Sequence, residues 1–351
     1  MSKRAEDTIG DSEPRGRKPG IAAVAARAGV SKPTVSRVMN GNASVDPILA
    51  ERVRVAAAEL GYSANPVARS LALGRTNTIA FVLPDLENPT FQAALRGLSR
   101  AAAQDGYRVL IADTQENVAE EHVLALETRS RCDALVLCAP RMPDDELKML
   151  LTQVEPVVMI NRNVENVSTP VVSADYDRGI EALLRHVHSL GHRDILFLQG
   201  VEASNSNRQR LRGIERMLKA LPDLRVETLR CGVTFEDGHA MTGTVRGAGA
   251  TAVLAFNDLV AMGLLSGLHE AGVAVPDAIS VLGFDDIPFA RYTTPPLTTA
   301  AVPVAELGEQ AWVRLRALLR GEPVPASSTV LPRLVVRGSS GPASRTEISA
   351  A

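Results

Sequence analysis

The stretch 31–40 reads SKPTVSRVMN, and its residue types separate on a helical wheel. At 3.6 residues per turn, Val35, Val38 and Met39 gather on one side, while Lys32, Pro33, Ser36, Arg37 and Asn40 form a stripe on the other. The stripe offers two cations and two hydroxyl or amide groups, and Pro33 is its one apolar member. Such a helix fits a DNA major groove about 12 Å wide, where lysine or arginine bonds O6 and N7 of guanine. Ser31, Thr34 and Ser36 are short donors suited to phosphate oxygens, contacts that fix register without reading bases. A solvated amphipathic helix on any small bundle would show the same pattern, so the stripe takes its meaning from what surrounds it.

Other reactive residue types do not assemble into a catalytic pattern. No G-x-S-x-G elbow, Walker loop or H-E-x-x-H pair occurs. His186, His188 and His192 are spaced i, i+2, i+6, which does not place them on one helical face. They read as a solvated helix end and not as a metal site. Asp285 and Asp286 are adjacent at a strand end and point apart, which does not suit paired acid–base work. Cys132, Cys138 and Cys231 lack metal-ligand spacing and read as reduced core thiols. The expectation is a binding protein, not an enzyme, with no metal and no cofactor.

Three short helical patterns position the stripe. Ile21, Val24, Ala25 and Ala28 share one face of the first, and Gly29 breaks the chain where a left-handed residue is needed. Ser31 can cap the second helix, with Pro33 in its first turn, and Asp46 and Pro47 open a third that ends at Gly61. From residue 76 the rhythm changes. Apolar runs such as NTIAFVLP, YRVLIAD, DALVLCAP and EPVVMINR alternate with helical stretches, and a second series follows with DILFLQG, RVETLR, TAVLAF and ISVLGFDD. Continuous apolar strands separated by helices imply parallel sheets covered on both faces. Two such α/β layers side by side leave a cleft at the carboxyl ends of their strands.

Charge divides along the same line. Residues 1–75 hold 12 Lys+Arg against 7 Asp+Glu, a net of +5, and the remaining 26 basic and 33 acidic residues give −7. A basic amino-terminal module on an acidic body confines polyanion contact to the first module. Residues 1–18 are polar and rich in Arg, Gly and Pro, and read as a disordered basic arm; 342–351 read as a disordered tail. With no apolar leader and no apolar run of about 18 residues, the chain is expected to stay in the cytoplasm, at the nucleoid.

The segments AGVSKPTVSRVMNG and ERVRVAAAELGYSANPVARSLALGRTNTIAFVLPD resemble, densely, the headpiece of the LacI/GalR family of bacterial repressors. The likeness runs on through HSLGHRDILFLQG, AFNDLVAMGLL, AVPDAISVLGFDD and LPRLVVR, over most of residues 20–338. It implies a helix-turn-helix headpiece at 19–64, a hinge helix at 65–75, and a periplasmic-binding-protein-like body at 76–341. Within that body it implies a near lobe of 76–173 and 300–331 and a far lobe of 174–299 and 332–341, joined by three crossings. It also implies a homodimer on a pseudo-palindromic operator, with Leu71 pushed into the minor groove at the centre. An apolar wedge of that kind kinks the duplex. Two departures stand out: Gly20 replaces the usual threonine before the first helix and Ala23 an acidic residue, which leaves a weaker cap.

For the body, the resemblance implies a small sugar-like effector. Asn88, Pro89 and Phe91 match a loop over the ligand, and Asn161 and Arg162 end a strand facing it. Arg208 matches an arginine aimed at the ligand from the far lobe, Asn257 and Asp285 match positions that bond sugar hydroxyls, and Phe235 is a candidate to stack on a ring. A guanidinium and a carboxylate pinning hydroxyls suit a polyol. The competing reading is an intracellular or transport-type sugar-binding protein without DNA function, which predicts an export leader and no basic headpiece.

Overall fold

In the computed structural model, residues 19–40, 44–62 and 74–343 are described, and the chain divides into a small unit ending at Thr76 and a large one beginning at Asn77. The expected arm 1–18, Leu71 with most of the hinge segment, and residues 344–351 of the tail lie outside the described residues.

The small unit is built on α1 (Ile21–Ala28), α2 (Lys32–Met39) and α3 (Pro47–Glu59). Gly29 ends α1 at φ 62°, a left-handed conformation that glycine adopts without a Cβ penalty. The Arg52 guanidinium of α3 donates to the Ala28 carbonyl at 2.6 Å, so the end of α1 is closed by a neighbouring helix. Gly20 makes no side-chain cap and the first turn of α1 has no acid, as the two sequence departures lead one to expect. Ser31 Oγ accepts from Thr34 N, and Asp46 Oδ1 accepts from Ile48 N and Leu49 N, which fixes the starts of α2 and α3. Val24, Ala28, Val35, Val38, Val53 and Ala56 form the core between the three helices.

The large unit holds two six-stranded sheets among the described residues. The first has the order β11-β5-β4-β3-β1-β2 and the second β12-β10-β9-β8-β6-β7. The strands of the first are β1 (Thr78–Leu83), β2 (Arg108–Asp113), β3 (Ala134–Cys138), β4 (Val157–Ile160), β5 (Val171–Ala174) and β11 (Ser328–Val330). Those of the second are β6 (Asp194–Gln199), β7 (Arg225–Arg230), β8 (Ala252–Ala255), β9 (Ser280–Asp285), β10 (Thr298–Ala301) and β12 (Arg333–Val335). Every pairing is parallel except β10 with β12. Every residue of β3, β4, β8 and β9 is buried, which is why these strands read as continuous apolar runs and not as alternation. The chain passes between the sheets three times: after β5, after β10 and after β11.

Helix Pro89–Gln104 carries the loop-end residues of the first lobe and packs on helix Val304–Arg320 at very short range. A Cβ on Gly97 would overlap the Ala305 carbonyl, and one on Gly308 the Ala94 carbonyl, so only glycine lets these backbones meet. One expectation is corrected here. His192 is 1 % exposed, with its ring nitrogens on Thr251 Oγ1 at 2.8 Å and the Gly341 carbonyl at 3.0 Å, and His186 Nε2 reaches Ser340 Oγ at 3.0 Å. These two rings anchor the carboxyl-terminal segment to the second lobe and are not a solvated helix end; the tail that covers them lies some 150 residues away, beyond the reach of local pattern.

Candidate functional site

On α2 the polar stripe faces away from the headpiece core. Lys32, Pro33 and Arg37 are exposed, Ser36 and Asn40 are half-buried beside them, and Val35 is fully buried opposite. Arg37 Nε donates to the Pro33 carbonyl at 3.4 Å and Asn40 Nδ2 to Ser36 Oγ at 3.4 Å, long bonds that a stronger partner can displace. Ser31 and Thr34 share a hydroxyl–hydroxyl bond of 2.9 Å at the helix start. A phosphate fits such a helix start.

In the large unit the strand ends build a small closed cavity of about 30 Å³. Asn88, Thr90, Phe91, Arg141 and Asn161 line it from the first lobe, and Arg210, Val233, Phe256, Asn257 and Asp285 from the second. The backbone turns sharply where strands end, with positive φ at Ala139 (48°), Asn161 (56°) and Asp285 (109°). Side chains held in such sparsely populated conformations cluster at ligand clamps.

Arg210 dominates the electrostatics. It is 1 % exposed, and its guanidinium carbon lies 4.0 Å from the Phe284 ring centre, 4.4 Å from Phe256 and 4.5 Å from Tyr176. Its Nε and Nη1 are buried with no protein partner. The aromatic faces favour the cation, yet N–H groups left unmet away from water are costly. Burial lowers its pKa to about 10 against the pull of Asp285. Burial likewise raises Asp285 to about 6, opposed by Arg210 and by the Thr90 hydroxyl, which donates to Asp285 Oδ2 at 2.9 Å. That bond joins the two lobes, as does Asn205 Nδ2 to the Asn161 carbonyl at 3.3 Å. Asp258, fully buried behind the site, accepts from Thr299 Oγ1 at 2.6 Å and Ile287 N at 2.8 Å, holding the loop that follows Asp285.

Of the residues the sequence singles out, Asn88, Phe91, Asn161, Asn257 and Asp285 come together at the cavity. Their amides are largely engaged within the protein: Asn88 caps its helix through Thr90 N, Asn161 holds Tyr176 Oη and Ala174 N, and Asn257 holds Val233 O and Val260 N. Pro89 opens helix Pro89–Gln104 and is absent from the lining. Arg208 and Arg162 also lie outside it; they line a neighbouring depression together. The arginine of the cavity is Arg210, two positions further along helix Asn205–Ala220. Two helical residues apart means about 200° of rotation, so Arg208 and Arg210 face opposite ways. Asn207, Arg210, Ile214 and Met217 are the buried side of that helix, a periodicity that was available to identify Arg210. Phe235 is 37 % exposed and outside the cavity, and Phe256 is the aromatic that lines it. Thr90, Arg141 and Tyr176 were also missed: Thr90 lies between Pro89 and Phe91 in the loop already singled out, and Arg141 and Tyr176 carry no pattern of their own and are brought in by the strands they follow.

Among the described residues no group of His, Cys, Asp and Glu is placed to hold a metal ion, and no helix is long and apolar enough to cross a membrane.

Residues 20–65 match the bacterial regulatory proteins of the lacI family, and residues 184–340 match the periplasmic binding protein-like domain. The HTH-type transcriptional regulator AscG of Escherichia coli is 32 % identical over 324 residues, covering 90 % of this chain and 96 % of that protein. The HTH-type transcriptional regulator GalS of Salmonella typhimurium is 33 % identical over 332 residues, covering 90 % and 95 %. Among solved structures, the lac repressor dimer bound to operator and an anti-inducer aligns with a TM-score of 0.82 at 27 % identity, over 93 % of this chain and all of that one. The exposed donor stripe and the closed polar cavity thus sit in a chain related along most of its length to helix-turn-helix regulators, and the chain belongs to the LacI/GalR family of bacterial transcription regulators, which are not enzymes.

Proposed function

We propose that this regulator is a homodimeric, cytoplasmic repressor whose paired headpieces read the two halves of a pseudo-palindromic operator, and whose grip is set by a small polyol of the sugar class. The observation that carries the effector reading is Arg210, a buried guanidinium with Nε and Nη1 unmet, set among three aromatic rings beside Asp285. Hydroxyl groups of a sugar accept from the guanidinium and donate to the carboxylate, while Phe91 and Phe256 cover its apolar faces. A carboxyl group poised near pH 6 is ionised at pH 7 and accepts. Relatives support the ligand class: solved neighbours include a CelR–cellobiose complex and an Enterococcus faecium regulator with bound ribose.

The cavity of 30 Å³ is about a tenth of the ~300 Å³ at which small-molecule pockets begin. A sugar therefore enters as the lobes part and takes Asp285 from Thr90, replacing a cross-lobe bond with bonds to itself. Ligand controls DNA affinity to the extent that it prefers one lobe arrangement over the other. At the headpiece, Lys32 and Arg37 carry base readout, Ser31, Thr34, Ser36 and Asn40 contact backbone or base edges, Pro33 packs without donating, and Leu71 wedges the minor groove.

Two measurements test this reading. In a thermal-shift panel of sugars at least one raises the melting point, because a ligand that binds only the folded state must stabilise it. The rise disappears in Arg210→Met, whereas its survival in that variant places the ligand elsewhere. In a gel-shift titration Leu71→Ala weakens operator binding with sugar binding intact; equal operator affinity contradicts the wedge.

A further inference from the structure

Beside the closed cavity lies a second depression of about 580 Å³, also built from strand ends of both lobes. Arg141 and Asp144 follow β3, Arg162 follows β4, Glu202 follows β6, and Arg208 rises from helix Asn205–Ala220. Arg141 lines both spaces.

The three arginines are unequally satisfied. Glu116 clasps Arg141 with two bonds of 2.8 Å. Arg162, 2 % exposed, donates through Nη2 to the Met142 carbonyl at 2.8 Å and Asp144 Oδ1 at 2.7 Å, but its Nε and Nη1 are buried without a protein partner. Burial lowers its pKa and the charge of Arg208 lowers it further, against the pull of Asp144 and Glu121. Arg208 Nη1 reaches the Ala203 carbonyl at a long 3.2 Å. The acids of this depression point outward: the Asp144 side chain is 56 % exposed, and Glu202, 87 % exposed, pairs with Arg230 at 3.3 Å. Exposed carboxylates are screened by water and salt, so they compensate the buried guanidinium poorly. Unmet donors on a buried cation are among the costliest arrangements in a protein, and acceptor oxygens that carry negative charge relieve them best.

We infer that this depression receives an anionic group of the effector, a phosphate or a carboxylate, while the polyol part of the same molecule occupies the Arg210–Asp285 cavity; the inference rests on the polyol reading given above. Guanidinium groups bind phosphate and carboxylate bidentately, with two parallel N–H bonds. Arg162 belongs to the first lobe and Arg208 to the second, so the anion bridges them and its charge acts on the lobe arrangement.

The test uses the full-length dimer and isothermal titration with matched probes: hexoses, their 6-phosphates, the corresponding uronic acids, and inorganic phosphate. Expected is binding of a phosphorylated or acidic sugar at least about tenfold tighter than its neutral parent, with that preference shrinking as salt rises. Which of the two anionic series binds identifies the group. Arg208→Gln, at an exposed helix position, should reduce the preference to about twofold or less. Inorganic phosphate should bind at millimolar concentration to the parent and about tenfold more weakly to Arg208→Gln. Neutral and anionic sugars binding alike would overturn this inference and leave the polyol reading standing. A tenfold preference that persists in Arg208→Gln would also overturn it. Phosphate binding with no sugar binding at all would instead sink the polyol reading.

Discussion

The headpiece helix and the interlobe cavity hold similar chemistry, cations and short polar donors, in opposite surroundings. On α2, Lys32 and Arg37 stand in water, and their exposure is imposed by a local repeat that buries Val35 and Val38. Desolvation costs nothing there until a partner arrives, and the partner, a phosphate-lined groove, brings its own charge. In the cavity, Arg210 and Asp285 are already stripped of water and lean on each other and on aromatic faces. The first site can wait indefinitely at little cost; the second holds buried donors that no protein group meets. On the proposed reading, control resides in the second site: a buried, incompletely satisfied pair of one lobe, tied to the other through Thr90, is placed to couple ligand to lobe arrangement, whereas an exposed stripe is not.

That contrast can be broken at several points. The largest effect is expected from Arg210→Met, which keeps the volume of the side chain and removes its donors. Sugar affinity should fall at least about a hundredfold, consistent with ~3 kcal/mol for lost bonds to a buried charge, while operator binding without ligand is retained. Calorimetry and a gel shift on the same preparation measure both.

Next is the pH dependence of Asp285. Its pKa in the folded protein is about 6, above the ~3.9 of an unfolded aspartate, so the folded state binds the extra proton between those values. Stability from this group is greatest below the unfolded value and is lost as pH rises through 6. Asp285→Asn does not titrate, so relative to the parent the variant should gain up to about 3 kcal/mol between pH 4 and pH 7, from 1.36 kcal/mol per unit. Urea melts across that range decide it; parallel curves for the two proteins would show that Asp285 is not a desolvated acid.

At the headpiece, Arg37→Ala or Lys32→Ala should each weaken a matched operator by about 1–3 kcal/mol and relax preference at one base pair, as expected for lost guanine contacts. Uniform weakening across sequences would reassign the residue to phosphate contact. The smallest effect is expected at the helix pair that carries the first lobe. Gly308→Ala gains up to about 1 kcal/mol of helix propensity but drives a methyl into the Ala94 carbonyl, and because backbone yields little the overpacking cost falls at the upper end of the usual range, about 2–3 kcal/mol. The net loss of about 1–2 kcal/mol should lower the melting temperature of the body by a few degrees.

How far the sequence reveals each region follows the same contrast. The headpiece is legible because its determinants are local: Gly29, Ser31 and Asp46 mark turns and caps within a few residues, and one helical period separates core from stripe. The alternation of apolar strands and helices is legible for the same reason. β11, β12 and the His192 anchor are not, since strands of three residues carry little pattern and the ring's partners, Thr251 and Gly341, lie 59 and 149 residues along the chain. The cavity lies between these cases. Asn88, Asn161, Asn257 and Asp285 mark strand ends or helix caps, and motif spacing finds them. Arg208 and Arg210 sit in one short motif, NRQR, and only the buried face of their helix tells which points into the cavity and which into the outer depression.

Allosteric control, as proposed, requires ligand held by Arg210 to change the grip of the headpiece on DNA. The direct measurement is operator affinity by fluorescence anisotropy, with and without a saturating sugar chosen from the thermal-shift panel, for the parent and for Arg210→Met. The expected result is a change of at least about tenfold in the parent, ~1.4 kcal/mol of coupling, and none in the variant, with equal affinity of the two proteins when ligand is absent. A parent whose operator affinity ignores a bound sugar, or a variant that still responds, would contradict it.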